Sequence, residues 1–153
     1  MNFTYELSGR GWAVGKIEVN SNVINFTTSY LSNPLLDMLN ALLSLIPECV
    51  PYPLKQTSFE WYDEPGGSTW KLERIKSSQL SIEIVYYADD RKSKIVQQMK
   101  EVCNIVDFCR TVVNALEKLL KKHGTDAYKE LWVNDEFPIN KFHMLKEYVN
   151  KNK

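Results

Sequence analysis

Histidine is scarce in this chain of 153 residues: there are two, His123 and His143. They stand twenty apart and belong to no HxxxH or HxxE pattern, which excludes the common zinc-site spacings. Cysteine is nearly as sparse. Cys49, Cys103 and Cys109 are odd in number and show no paired spacing, so they are expected as reduced core thiols. Cys103 and Cys109, if both helical, would point about 240° apart and could not chelate one metal. No glycine-rich phosphate loop is present. The stretch SGRGWAVG (8–15) lacks the Lys-Ser/Thr of such loops and does not open a helix, so it reads as a hairpin turn. There is no GxSxG elbow and no SxxK motif. Neither a catalytic group, nor a metal, nor a cofactor is therefore expected.

Long apolar runs are missing too. None reaches the ~18–20 residues of a membrane span, and the N-terminal MNFTYELSGRGW lacks the basic start and apolar run of a signal peptide. A cytoplasmic protein with no membrane contact is expected. Charge of one sign is not in excess: 19 basic and 19 acidic side chains give a net charge of zero. A nucleic-acid binder normally carries a basic excess or stripe, so no nucleic-acid partner is expected. The charges are unevenly spread, with six basic and ten acidic groups in residues 1–89 and thirteen and nine in 90–153. That mild dipole can steer a charged partner.

What is present is an average globular composition, 44% hydrophobic and 25% charged, in a length suited to one domain spanning 1–153. Period-two alternation marks the first thirty residues as strands. Phe3, Tyr5 and Leu7 share a face, as do Ala13, Ile17 and Val19, and then Ile24, Phe26, Thr28 and Tyr30. Turn residues separate them at 8–11 and 20–22, which predicts an antiparallel meander. A second strand group follows in SFEWYDE, STWKLERI and QLSIEIVYY. Six strands are counted, in one sheet or in two sheets of three.

Between the groups lies NPLLDMLNALLSLIP (33–47), with only Asp37, Asn40 and Ser44 polar between its prolines. Asn33 suits an N-cap, Pro34 the first helical position, and Pro47 a stop. The polar residues fall within about 60° on a helical wheel, so this Leu-rich helix needs cover on at least two sides. A sheet and the long C-terminal helix are the expected cover. That helix is drawn over 91–123 by a 4,3 heptad run through Ile95, Met99, Val102, Val106, Cys109, Val113, Leu116 and Leu120. Gly124 would end it, and two shorter helices are expected at 126–133 and 139–151. The wide heptad stripe also offers a seam for a homodimer through the helix 91–123.

The fold class is thus α+β: an antiparallel sheet of about six strands, a buried Leu-rich helix inserted between two strand groups, and a C-terminal helical layer with one long helix. Helices covering one sheet face would leave the other exposing aromatics and acids. Trp12, Trp61, Tyr62 and Trp70, with Glu60, Asp63 and Glu64 near a hairpin tip, form the expected partner-binding set. Together these features point to a non-enzymatic protein-binding module that occludes another protein. In outline it is similar to small bacterial immunity proteins, which neutralise a toxin by covering it. The alternatives are a small-ligand-binding protein with an apolar pocket beneath the sheet, and an enzyme assembled from scattered residues, first Glu60, Asp63 and His143.

Overall fold

The computed structural model describes residues 1–133 and 135–153. The chain begins with a meander of β1 (Asn2–Gly9), β2 (Trp12–Val19) and β3 (Asn22–Ser29), which forms a three-stranded antiparallel sheet in that order. Helix α1 (Pro34–Ser44) follows. A second antiparallel meander contains β4 (Gln56–Tyr62), β5 (Gly67–Lys76), β6 (Gln79–Tyr87) and β7 (Ile95–Asn104). Helices α2 (Ile105–Leu131) and α3 (Ile139–Lys151) complete the chain. The α+β class holds, with seven strands among the described residues divided between two sheets.

The seventh strand corrects the expected helix boundary. Residues 95–104 pair with β6, Ile84 opposite Met99 and Ser81 opposite Val102, and the helix starts only at Ile105. Asn104 caps it, its side chain accepting the Asp107 N–H at 3.0 Å. The heptad spacing through Ile95, Met99 and Val102 was fortuitous. Of these three only Met99 is buried, because β7 is a sheet edge whose outer positions face water. On α2 the apolar stripe is consumed inside the chain: Ile105, Phe108, Cys109, Val112, Val113, Leu116 and Leu119 are all buried against β1 and α3. Within 91–123 the exposed apolar side chains are instead Ile95, Val96 and Val102 of β7. The expected break at Gly124 is present, with φ 75° and ψ 170° between two helical pieces.

Helix α1 does lie in the core, with Leu35, Met38, Leu39, Leu42 and Leu43 buried. Its second cover is α3, however, while β4 supplies the first. The two sheets face each other through an aromatic cluster. Phe26 of β3 meets Trp61 at 5.1 Å and Trp70 at 6.2 Å between ring centroids, and Tyr5 of β1 meets Trp61 edge-on at 5.9 Å. Phe26 can reach this far because its β2 neighbour in register is Gly15, where a Cβ would come within 2.7 Å of the Phe26 ring. Trp61 also donates its indole N–H to Pro34 O at 3.0 Å, tying β4 to the start of α1.

Side chains, not a backbone ladder, join the facing edges of the two sheets. Gln97 accepts the Asn25 N–H at 3.2 Å, and Glu101 accepts from Asn20 at 3.0 Å and also from Asn22. An unpaired strand edge is an aggregation hazard, and these contacts blunt two of them at once.

Candidate functional site

Antiparallel topology sends the ends of β4 and β6 to one pole of the molecule, and the packing of the two sheets brings the end of β3 to it. The β3 end is fixed there by Thr28, whose hydroxyl donates to Tyr62 O at 3.4 Å. Three loops converge at this pole: 30–33, the β4–β5 turn at 63–66, and the β6–β7 loop at 88–94. The turn closes with Asp63 N–H donating to Gly66 O at 3.0 Å. Gly66 must be glycine on steric grounds, since a Cβ would strike the backbone of Tyr87 and Ala88. The β6–β7 loop is held by the Asp89 carboxylate, which accepts the N–H groups of Ser93 at 3.0 Å and Lys94 at 3.2 Å. Those bonds, that from the Ser93 hydroxyl foremost, keep the Asp89 carboxyl below the usual carboxylate range.

Between the loops lies an open groove of about 670 Å³, lined by Leu31, Tyr62, Glu64, Pro65, Gly66 and Asp90. Leu31 is 49% exposed and Tyr62 41%. Among the described residues, Glu64 and Asp90 make neither a salt bridge nor a side-chain hydrogen bond, and the groove's lining contains no cation. Beside the groove, Tyr62 donates its hydroxyl to Glu60, which also pairs with Lys92. The Lys92 bond first, then that from Tyr62, lowers the Glu60 carboxyl, while the Glu60 bond raises the Tyr62 phenol. The Tyr62 ring is therefore held in a fixed orientation while remaining open to solvent.

Of the expected binding residues, the structure brings Tyr62 and Glu64 into the groove and places Glu60 at its side. Asp63 points between the sheets instead, where it accepts the Tyr86 hydroxyl. Burial and that bond push the Tyr86 phenol far above its ordinary value. Trp61 and Trp70 are corrected outright. Both are fully buried, because the face expected to be open is covered by the other sheet, and no partner of the folded protein can touch them. Trp12 is half-buried at the start of β2, opposite Gly9 and Ser29, and does not line the groove.

Leu31, Pro65 and Asp90 were missed. The signal for Asp90 lay in topology, since the loop following β6 must share a pole with the loop following β4 in one antiparallel meander; Leu31 joins them through the packing of one sheet on the other.

The enzyme alternative gains no constellation. His143 is exposed on α3 beside the Phe142 ring, at 5.7 Å between centroids. It shares no hydrogen bond with Glu60 or Asp63, whose partners are Lys92, Tyr62 and Tyr86. Cys103, placed on a strand, is no longer related to Cys109 by helical geometry. Burial raises both thiols, Cys103 to about 11, which suits inert core groups. Among the described residues no group of three or more His, Cys, Asp or Glu side chains could hold a metal ion. No described helix is long and apolar enough to cross a membrane. No family model, curated protein or solved structure matches this chain.

Proposed function

We propose that the protein is a cytoplasmic, non-enzymatic binding module that occludes a partner protein with its acidic-aromatic pole. The groove carries this reading: a pre-oriented tyrosine and an exposed leucine are edged by two carboxylates that have no partner among the described residues. Apolar side chains held open to water on an ordered surface are the usual mark of a contact site, and tyrosine is enriched among the residues that dominate binding energy. The rim selects the partner's chemistry. A protein presenting lysine or arginine beside an apolar anchor would pair with Glu64 and Asp90 while filling the space over Leu31.

Action by covering requires no catalytic group and needs only a rigid surface. Hydrogen bonds across the turn and the Asp89-anchored loop provide one here. Affinity capture from native cells, run beside Tyr62→Ala/Glu64→Lys and an Asn114→Ala surface control on α2, tests the reading. One stoichiometric partner should be captured by the parent and the control, lost by the groove variant, and released from the purified complex as salt rises. Equal capture by all three proteins would rule the groove out.

A further inference from the structure

The β4–β5 hairpin carries exposed apolar side chains at both ends, with charge of opposite sign. The turn end is the groove just described. At the open end, Arg74 N–H donates to Lys55 O at 2.8 Å, extending the register one pair beyond Gln56 and Glu73. Leu54 and Ile75 are the next residues outward on the two chains, and both are exposed. Two residues before Leu54, Tyr52 is 88% exposed, more than any other large hydrophobic side chain described. The connector that bears it is anchored: Leu54 N–H donates to Ser44 O at 2.8 Å, at the end of α1. Lys55 and Lys76 stand exposed here, and neither makes a salt bridge among the described residues.

An apolar surface of this kind with a cationic rim calls for an occupant that is apolar and anionic. The groove at the other end of the same hairpin has both properties. Within one chain the two cannot meet, because the seven residues of β4 hold them about 23 Å apart at ~3.3 Å per residue. We propose that the Tyr52–Leu54–Ile75 surface docks into the Leu31–Tyr62 groove of a second copy, head to tail, with Lys55 and Lys76 facing Glu64 and Asp90. The inference rests on reading the groove as a docking surface, and it assigns a competitor to that surface, since self-association hides the groove from a foreign partner. The contact is heterologous, so copies add in series unless the rotation between them closes a ring. Patches this small lie below the size of stable interfaces, which makes the association weak and salt-sensitive.

Sedimentation of two variants provides the test. Leu31→Ser/Glu64→Lys removes the groove, and Tyr52→Ser/Leu54→Ser removes the opposite surface; all four positions are exposed. The parent protein should show a mass that rises with concentration above 17.8 kDa and falls back in high salt. Each variant alone should stay a monomer. An equimolar mixture should form a one-to-one dimer, because each variant retains the surface its companion needs. A parent that stays monomeric, a variant that still self-associates, or a mixture that stays monomeric would each overturn the head-to-tail contact. Partner capture separates this from the binding reading. If the groove variant loses a foreign partner while the mixture stays monomeric, only the self-association fails; if capture is unchanged and the mixture dimerises, only the foreign partner fails.

Discussion

Trp61 and Tyr62 are neighbours on β4, yet Trp61 is fully buried and Tyr62 is 41% exposed. Strand geometry alone sends them to opposite faces. What separates their roles is the β1–β3 sheet, which covers the Trp61 face with Tyr5 and Phe26, while the Tyr62 face stays open to solvent. The same contrast runs through the whole molecule. Its inner rings are joined edge-on and stacked into two groups, one between the sheets around Trp61 and one among the helices around Tyr128, whereas its polar loops hold a few apolar side chains open to water. Aromatic content therefore carries two separate meanings here. The inner rings account for the stability of the fold, and the outer ones are free to account for binding.

High pH should dissolve the inner half of that contrast completely. Burial raises the phenols of Tyr5, Tyr86, Tyr128 and Tyr148, the last to about 12. In the unfolded chain these groups ionise near pH 10. Between that value and the folded ones, the unfolded state loses protons that the folded state keeps. The stability they confer is thus whole below about pH 10 and is lost as pH rises through the folded values. Unfolding followed by circular dichroism should be cooperative and coincide with phenolate absorbance. Smooth phenolate titration with an unchanged fold would show that the inner rings are accessible after all.

Trp61→Ala strikes the centre of the cluster and removes the indole hydrogen bond to Pro34 O. A loss of about 3–5 kcal/mol is expected, read from the denaturation midpoint. Leu39→Ala or Leu42→Ala, in the covered helix α1, should cost ~2–5 kcal/mol. A loss well under 1 kcal/mol at either leucine would place α1 at the periphery and return its face to a partner.

Much of this arrangement can be read from periodicity. Alternation in β1, β2, β3 and β6 identifies the buried side of each strand, and the residues at 139–151 form the expected helix. Periodicity fails where burial is one-sided or absent. On β7 only Met99 is buried, so period two leaves no trace and a chance heptad spacing suggests a helix. Alternation also shows that Trp61 and Tyr62 diverge without showing which of them is covered, since cover comes from Phe26 and Tyr5 on strands distant in the sequence. The groove suffers from the same limit: Tyr62 and Glu64 are neighbours in the chain, but Leu31 and Asp90 join them only through tertiary structure.

The smallest stability effect provides the sharpest test of the comparison. Tyr62→Ala removes a ring that packs against little, so the change in folding free energy should stay within about 0.5 kcal/mol. The Glu60–Lys92 pair should survive, because it does not pass through the tyrosine. Partner capture should nevertheless fall steeply, since the ring supplies apolar area in a fixed orientation that alanine cannot replace. Trp61→Ala measured alongside it separates the two roles: it should weaken capture only in proportion to the fraction unfolded, and lowering the temperature toward maximum stability should restore it. If Tyr62→Ala instead costs as much stability as Trp61→Ala, the ring belongs to the core, and the distinction between an inner aromatic layer and an outer one collapses.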